Sequence, residues 1–439
     1  MSLLETDLGA ARHWSRVGDG YEVTKKPRNL DRATLPEIAF AAMDAIPQDG
    51  TYMPAFALKA PSAIASGTYF ERGDLLIGKI TPSFENGKQA LVQNLDADFG
   101  YATTEVIPLH PRTEEHDPRF LFFYLLHPDV RSYVAERMEG STGRQRVPEN
   151  VLLDLSIPAF RQQEQRRVAD CLEMIQKARA AEMNCERLAQ DLKRAAMRAL
   201  FTKGLRSEAQ KDTKIGPVPD SWNVVRLDEC AKVVSTRMSY SELEALENEH
   251  NEDAISVLGI KVADMNLDGN EIRLQSAFLE KTVARSVVTH RCAPPRTIIF
   301  PKRGAAIATN KKRLSTGWTA FDPNVIGVLA GDDLDQDFLF QWFQAFDLRT
   351  ITEPGPTPQL NKKNLDPLVI PVPPTLEEQR EIVAVFDAID RKIDLHRRKR
   401  TVLDELFKAL LHKLMTGEIR VADLDLSALE PVKETEVAA

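Results

Sequence analysis

Cysteine is scarce in this 439-residue sequence, which has four: Cys171, Cys185, Cys230 and Cys292. They form no CxxC pair, and no cluster of histidines lies near them in the sequence. This spacing argues against a zinc site and against a disulfide framework. We therefore expect reduced, mostly buried thiols and no bound metal.

Long apolar runs are also missing. No stretch of about 18 apolar residues occurs, and residues 1–16 lack the charged and then apolar layout of a secretory signal. We expect a cytoplasmic protein without a membrane partner. The length is too great for one ordinary core and favours two or three domains.

Sequence motifs for catalysis are absent as well. The Asn/Asp-Pro-Pro-aromatic tetrad of an adenine methyltransferase does not occur, since residues 293–296 (Ala-Pro-Pro-Arg) lack both ends, and there is no GxxxxGK[ST] loop for ATP. The GxG of residues 18–20 follows no apolar strand, so a cofactor loop is not expected there. We predict a non-catalytic chain without its own cofactor.

The chain has no surplus of positive charge, because 57 lysines and arginines stand against 65 acidic residues, for a net charge of -8. Binding that coats nucleic acid without selectivity draws on such a surplus. Any DNA contact must therefore come from local basic runs, whose alternative is a solvated charged face. The candidates are Lys79, Lys88, Arg144 and Arg146 in the first half, and Lys302, Arg303, Lys311, Lys312, Arg313, Lys362 and Lys363 in the second.

An internal repeat is the strongest feature that is present. Residues 164–166 (Glu-Gln-Arg) return at 378–380, and the same offset superimposes Ile175 on Ile389. With a one-residue adjustment, Ile-Pro at 157–158 aligns with Ile-Pro at 370–371. Gln145 is aligned with Gln359. The chain is therefore predicted to contain two copies of one module, related by a pseudo-two-fold axis.

Each copy has the pattern of a mixed α/β domain followed by a long helix. Short β-type runs at 73–80, 104–109, 297–303 and 325–329 alternate with helical patterns at 120–138, 240–248 and 338–346. We place the first domain at 1–158, its helix at 159–206, the second domain at 207–372, its helix at 373–420, and a disordered tail at 421–439.

The two long helices carry apolar residues in steps of three and four, typical of a coiled-coil seam. Such a helix needs a partner to bury its stripe, and the intervening domain allows the two copies to pair antiparallel. The predicted packing residues are Val168, Leu172, Ile175, Leu188, Leu192 and Leu200 in the first helix, and Ile382, Phe386, Ile389, Ile393, Leu403, Phe407, Leu410 and Leu414 in the second.

Near the helix midpoints the apolar stepping passes through charged residues. The second helix has His396 and Arg400 there, and the first has Glu182 and Glu186 at the equivalent positions. In an antiparallel pair the midpoints meet, so we hypothesise that these acidic and basic residues face one another and fix the register. Solvated charge is the alternative, since exposed pairs contribute only about 0.2–1 kcal/mol.

Three segments together resemble the specificity subunits of type I restriction-modification systems. Residues 215–227 (IGPVPDSWNVVRL) are similar to the opening of their target-recognition domains, residues 370–382 (IPVPPTLEEQREI) to the start of the following helix, and residues 414–420 (LMTGEIR) to its end. The last two recur in altered form in the first half. The first half lacks the Trp-containing opening and has His13-Trp14 in that region, which leaves the start of the first domain undefined.

The resemblance implies two target-recognition domains that each contact one half of a split double-stranded DNA target, with the helices as a spacer. It also implies two modification (methyltransferase) subunits and restriction subunits as partners, which would carry S-adenosylmethionine, ATP and magnesium. Arg303 and Arg313 could then contact guanine, and Lys79 and Lys302 phosphates. Gln145 and Gln359 are candidate contacts or turn residues. A cytoplasmic coiled-coil scaffold that never touches DNA is the alternative function.

Overall fold

Two units make up the chain: Met1–Cys185 together with His396–Ala439, and Glu186–Leu395. The computed structural model describes residues 13–32, 35–48, 50–52, 56–141, 143–353 and 358–429. None of the helices in these ranges combines the length and the apolar character that a membrane span requires.

The described residues of the first unit begin with ten strands and four short α-helices. In chain order they are β1 (Trp14–Arg16), α1 (Val17–Gly20), β2 (Tyr21–Val23), β3 (Ile38–Ala41), β4 (Ala57–Lys59), β5 (Thr68–Glu71), β6 (Leu75–Gly78), β7 (Gln89–Leu91), β8 (Phe99–Ala102), β9 (Val106–Pro111), α2 (Pro118–Leu126), α3 (Pro128–Ala135), α4 (Glu149–Leu153) and β10 (Ser156–Pro158). The long helix α5 (Gln162–Lys203) follows.

Two four-stranded sheets form the β layer of this unit, with strand orders β2-β9-β6-β7 and β4-β3-β8-β5. Strand β6 is buried at every position, as its continuous apolar sequence LLIG requires. Helix α2 contributes the buried residues 120–125 to the same core. The helical pattern predicted over 120–138 is broken in two because Pro128 starts a new helix.

In the part of the second unit that the structure describes, twelve strands and further helices follow α5. They are β11 (Gln210–Thr213), β12 (Gly216–Pro219), β13 (Asn223–Arg226), α6 (Leu227–Cys230), β14 (Ala231–Val234), α7 (Tyr240–Ala245), β15 (Ala254–Ile260), β16 (Arg273–Leu274), β17 (Leu279–Ala284), α8 (Arg285–Arg291), β18 (Ile298–Pro301), α9 (Ala305–Ala308), β19 (Arg313–Ser315), β20 (Trp318–Phe321), β21 (Val325–Ala330), α10 (Gln336–Ala345), α11 (Lys362–Leu365), β22 (Val369–Val372) and the long helix α12 (Leu376–Thr416).

The main sheet of the second unit has the strand order β14-β21-β18-β19-β16, and a three-stranded sheet has the order β17-β15-β20. Apolar residues of β18 and β21 pack with helix α10 and with Trp222, whose side chain is fully buried. The indole of Trp222 donates a hydrogen bond to Glu378 at the start of α12 (3.0 Å). The Trp of the opening segment therefore joins this domain to the helix that follows it.

The start of each domain has the same arrangement, which the sequence left undefined in the first half. Strand β1 pairs antiparallel with β10, as β13 pairs with β22. The residue after the first strand of each pair donates its backbone N–H to a carbonyl close before the other strand. Val17 donates to Leu155 (2.9 Å), and Leu227 donates to Leu368 (2.7 Å). Trp14 and its neighbours therefore occupy the place of residues 223–226, although the two sequences differ.

The glutamine of the repeated Glu-Gln-Arg segment is buried in both copies and has the same function. Gln165 accepts a hydrogen bond from the backbone N–H of Asp117 (3.0 Å), and Gln379 accepts one from that of Asp335 (2.6 Å). Asp117 and Asp335 cap the N-termini of α2 and α10. Each glutamine therefore holds the long helix against the short helix of its own domain.

Within the first unit, α5 and α12 run antiparallel and carry charged pairs along their contact. Arg179 binds Asp404 (2.5 Å) and lies over the ring of Phe407 (5.4 Å to its centroid). Three residues further along α5, the Glu182 carboxylate lies 2.5 Å from Nδ1 of His396. The Glu182–His396 part of the predicted pairing is confirmed. Val168, Leu172, Ile175, Phe407, Leu410 and Leu414 are buried in the first core, and Leu403 is partly buried against it.

Within the second unit, the helix contact contains an ion pair that the apolar pattern of the sequence does not predict. Lys193 binds Asp390 (2.7 Å), with side chains only 14% and 16% exposed. Ile382 and Phe386 are buried in the second core and Leu200 is partly buried against it, whereas Ile393 is buried and Ile389 is half-buried.

Two of the predicted packing residues are placed wrongly. Leu188 and Leu192 are 51% and 58% exposed, because the contact face of α5 in this unit passes through Lys193 and Met197 instead. Lys193 occupies one of the positions in the helix contact, but the prediction considered apolar residues only. It therefore placed the contact on the face that carries Leu188 and Leu192.

The tail also differs from the prediction of disorder from residue 421. Val421–Asp423 and Ser427–Leu429 form short 3₁₀ helices. Four apolar side chains of this segment are partly buried against the first core, which stabilises it: Val421, Leu424, Leu426 and Leu429. Residues 430–439 lie outside the described residues.

The position of the seam can be tested by comparing neighbouring alanine substitutions. Lys193→Ala should lower the free energy of unfolding by about 2 kcal/mol, because it leaves the half-buried Asp390 carboxylate without its partner. Leu192→Ala should change it by less than about 0.5 kcal/mol, because that side chain is exposed. Urea unfolding of the full chain measures both. A larger effect for Leu192→Ala than for Lys193→Ala would contradict this register.

Candidate nucleic-acid interface

The first unit has a basic junction where strand β6 ends, which we define as Lys79, Glu105, Gln145 and Arg146. The backbone N–H of Lys79 donates to Glu105 O, and Val147 N–H donates to Lys79 O, both at 2.9 Å. Ile80 and Arg146 form an isolated β-bridge, and Glu139 closes the loop by a second bridge to Arg146. Gly140 and Gly143, both at positive φ, permit the turn between them.

The second unit has an equivalent junction at the end of β18, which we define as Lys302, Arg303, Asn324 and Gln359. Lys302 N–H donates to Asn324 O (2.7 Å), and Leu360 N–H donates to Lys302 O (2.9 Å). Arg303 and Gln359 form the bridge, and Glu353 closes the loop onto Gln359. The two junctions therefore share one backbone framework.

This framework corrects one detail of the sequence alignment. Gln359 occupies the bridge position of Arg146, so Gln145 and Gln359 are not equivalent residues. Gln145 accepts the hydrogen bond of Thr81 N–H (3.0 Å), and its counterpart is Pro358, which accepts from Gly304 N–H (2.9 Å). The two copies therefore align without a gap from the junction through the Ile-Pro pair. The single-residue shift between them lies after that pair, in the turn that leads into each long helix.

The charges of the two junctions differ. In the first, Arg146 makes two hydrogen bonds to Glu105 (2.6 and 2.8 Å), and these hold the pKa of Glu105 below its usual range. In the second, the neutral Asn324 takes the position of Glu105. Among the described residues, the side chains of Lys302 and Arg303 make no hydrogen bond or ion pair, so the second junction is the more positive.

Most of the other predicted DNA-contacting cations have partners within the protein. Lys88 donates to the carbonyl of Met43 (2.6 Å) and Lys311 to Asn266. Lys362 pairs with Asp366 (2.8 Å) and Lys363 with Glu353 (2.7 Å). The lysine side chains of these two ion pairs are 65% and 72% exposed, so the pairs contribute little to stability and can open toward a phosphate. Arg144 is exposed on its loop, and Lys79 is half-buried.

Lys312 and Arg313 do not lie where the sequence placed them. Lys312 is only 2% exposed and donates to the carbonyl of Phe346 (2.6 Å); burial lowers its pKa to about 8. Arg313 is half-buried and donates to the carbonyls of Lys312 and Met265 (2.9 and 3.0 Å). The prediction that Lys312 contacts DNA is wrong, because Lys312 is buried just before strand β19 begins at Arg313. Arg313 is committed to main-chain carbonyls.

A group of side chains with metal-ligand composition lies elsewhere in the first unit. Within the described part of the chain, His127, Asp129 and His412 are the group whose ligand atoms lie within 4.8 Å of one another. It contains none of the predicted DNA-contacting residues.

Together these features define a class of protein: two α/β domains of the same design, each followed by a long helix and each with a basic junction at the end of a central strand. Residues 297–405 match the family model described as the type I restriction modification DNA specificity domain. This match begins just before β18, so it includes the second junction.

Known relatives extend the match. The chain is 24% identical over 355 residues to the putative type I restriction enzyme MjaX specificity subunit of Methanocaldococcus jannaschii, which covers 80% of this chain and 79% of that protein. It is 33% identical over 135 residues to the EcoAI specificity subunit of Escherichia coli, covering 30% of this chain and 23% of that one. Over most of its length, the chain is therefore similar to specificity subunits of type I restriction-modification systems.

Solved structures agree on the fold. The S subunit of the type I restriction-modification system from M. genitalium has a TM-score of 0.56 at 14% identity, over 94% of this chain and 99% of that one. A chain from a structure that addresses complex assembly and conformational transition of the type I R-M system has a TM-score of 0.54 at 18% identity, over 94% and 100%. The fold class predicted from the sequence is confirmed.

The buried state of Lys312 predicts a dependence of stability on pH. Its pKa is about 8 in the folded chain, against about 10.4 when unfolded, so between these values the unfolded chain binds more protons. Stability should therefore rise as pH increases through 8. Relative to Lys312→Met, the wild-type chain should gain about 2 kcal/mol between pH 7 and 9.5 in urea unfolding. A difference that does not vary with pH would show that the ammonium group is solvated.

Proposed function

We propose that this chain recognises double-stranded DNA sequence as the specificity subunit of a type I restriction-modification complex, with each unit contacting one half of a split target. The duplicated junction supports this most directly, because the same backbone framework presents cations at the end of a central strand in both units. Charges in this position suit phosphate oxygens, and an arginine among them suits guanine in the major groove.

Within this proposal the second junction carries the clearest contacts. Lys302 and Arg303 are the cations without a partner among the described residues there, and Arg144 is the exposed arginine next to the first junction. The acidic balance of the whole chain limits non-selective binding, since few cations are available for counterion release. Local unpaired cations on an acidic protein therefore favour selective recognition over coating.

Catalysis is assigned to other subunits in this proposal. Two modification subunits would supply the adenine methyltransferase and S-adenosylmethionine, and restriction subunits would supply the ATP- and magnesium-dependent steps. The chain itself would be non-catalytic, which agrees with the missing methyltransferase tetrad and ATP loop. A scaffold that never contacts DNA is the alternative, and DNA-binding titrations of the complex discriminate between the two.

The exposed leucines of α5 are a candidate contact for a modification subunit. Leu188 and Leu192 are four residues apart in a helix and therefore lie on one face. Exposed apolar residues next to each other on a helix suit a protein interface better than a DNA interface, where contacts are mostly polar. We propose that this face binds the partner subunit.

The DNA contact is tested by removing the two unpaired charges of the second junction. Lys302→Gln with Arg303→Gln should weaken binding to duplex DNA that carries the target. The slope of log K against log salt should fall by about 1–2, because each removed cation leaves one phosphate with its counterions. Titrations at several salt concentrations measure both. The matched control is Arg349→Gln, which removes an exposed arginine already paired with Asp347 (2.7 Å).

Mapping the methylated adenines in the source genome defines the target for these titrations. Binding by the assembled complex should then depend on both halves of that target. If the double variant has the same DNA affinity and the same salt slope as the wild type, the second junction is not part of the DNA interface. Failure of the complex to bind any duplex would favour the scaffold alternative.

The partner contact is tested separately. Leu188→Ser with Leu192→Ser should weaken association with the modification subunit about tenfold or more, because truncation of buried interface anchors typically costs more than about 1 kcal/mol each. DNA binding by the complex should fall only as far as assembly does. Leu246→Ser, which changes an exposed leucine of the recognition domain, is the control. Unchanged co-purification of the double variant would exclude this face as the docking surface.

A further inference from the structure

Two histidines meet in the first unit, where the last turn of α12 contacts the start of α3. Nε2 of His127 lies 3.1 Å from Nδ1 of His412. His127 caps α3 and is only 4% exposed, and His412 is partly buried. The contact joins residues that are far apart in sequence, so it exists only in the folded unit.

The separation of the two nitrogens fits a shared metal ion. Imidazole nitrogens that bind one Zn²⁺ at about 2.0–2.1 Å lie about 3.3 Å apart in tetrahedral geometry and about 2.9 Å apart at a right angle. The observed 3.1 Å falls between these values. An ordinary hydrogen bond between two neutral rings has a similar length, so the distance permits a metal without requiring one.

The remaining nitrogen of each ring faces a carboxylate. Nδ1 of His127 lies 4.0 Å from Asp129, and Nε2 of His412 lies 3.7 Å from Glu418. Histidines that bind metals usually donate their other N–H to a carboxylate or carbonyl, which orients the ring and strengthens it as a ligand. Both rings of this pair have such a neighbour, which a hydrogen bond between two histidines does not need.

One rearrangement accompanies metal binding. Nδ1 of His127 accepts a hydrogen bond from the backbone N–H of Asp129 (3.2 Å), and this caps α3. With a metal on Nε2, Nδ1 of the neutral ring carries the proton and can no longer accept. The ring would then donate to the Asp129 carboxylate, whose oxygen lies 4.0 Å from Nδ1 on a side chain that is 36% exposed.

We propose that His127 and His412 bind one Zn²⁺ ion, with Asp129 and Glu418 as hydrogen-bond acceptors for the two rings and water in the remaining positions. The ion would join the C-terminal turn of α12 to the recognition domain of the first unit. This site departs from our expectation of no metal, which considered only the cysteines and their neighbours. The two histidines are separated by most of the chain and have no recognisable spacing in the sequence.

Calorimetric titration of the full chain with Zn²⁺ tests the proposal. The protein should carry no histidine tag and should contain Cys185→Ser, because that thiol is exposed and could bind zinc itself. One equivalent should bind and raise the melting temperature. His412→Gln should abolish this binding. His127→Asn should do the same while it retains a side chain that caps helices well. Asp129→Asn and Glu418→Gln should each weaken binding about 10- to 100-fold.

His290→Gln provides the matched control, because it removes an exposed histidine of the second unit and should leave the affinity unchanged. Circular dichroism before titration verifies that each variant is folded, and His412→Gln serves alone if His127→Asn is not. The proposal is overturned if the wild-type chain binds no Zn²⁺ at millimolar concentration, or if His412→Gln binds it with wild-type stoichiometry and affinity.

Discussion

Neither long helix of this chain could be stable alone, because each is apolar along only part of one face and has charged residues at the centre of that face. Burial of these seams is the constraint on which both units depend. In the first unit Arg179 and Glu182 of α5 meet Asp404 and His396 of α12, and in the second Lys193 meets Asp390. Charged seam positions cost desolvation energy, but a shift in register would leave each charge without its partner. We infer that these pairs favour one antiparallel register over its neighbours.

The helices are held to the domains by a second repeated interaction. The buried amides of Gln165 and Gln379 each accept from the backbone of an N-cap aspartate and donate to a carbonyl just before the long helix, that of Phe160 or Pro373. An amide at this depth would be costly without both partners. The repeated Glu-Gln-Arg segment is therefore explained by packing and not by contact with a ligand.

The two copies differ most at the basic junctions. Backbone hydrogen bonds are the same in both, whereas Arg146 is neutralised by Glu105 and Arg303 meets no acidic partner among the described residues, because Asn324 takes that place. Under the proposed function, the common framework would hold both domains on DNA in the same way, and the different side chains would contact two different half-targets. The framework positions the contacts, and the side chains that vary on it determine which contacts are possible.

Local sequence patterns determined much of the secondary structure of this protein. Short continuous apolar runs placed β6, β9, β18 and β21, and the repeat placed α5 and α12 within a few residues of their ends, because secondary structure follows from apolar patterns and proline positions. Tertiary structure alone decided which of the predicted DNA-contacting cations have partners within the described part of the protein. Lys312 was predicted to contact DNA but is buried, and Leu188 and Leu192 were predicted to pack between the helices but are exposed. The meeting of His127 with His412 belongs to this second group, since residues distant in sequence are brought together only by the packing of α12 against the first domain.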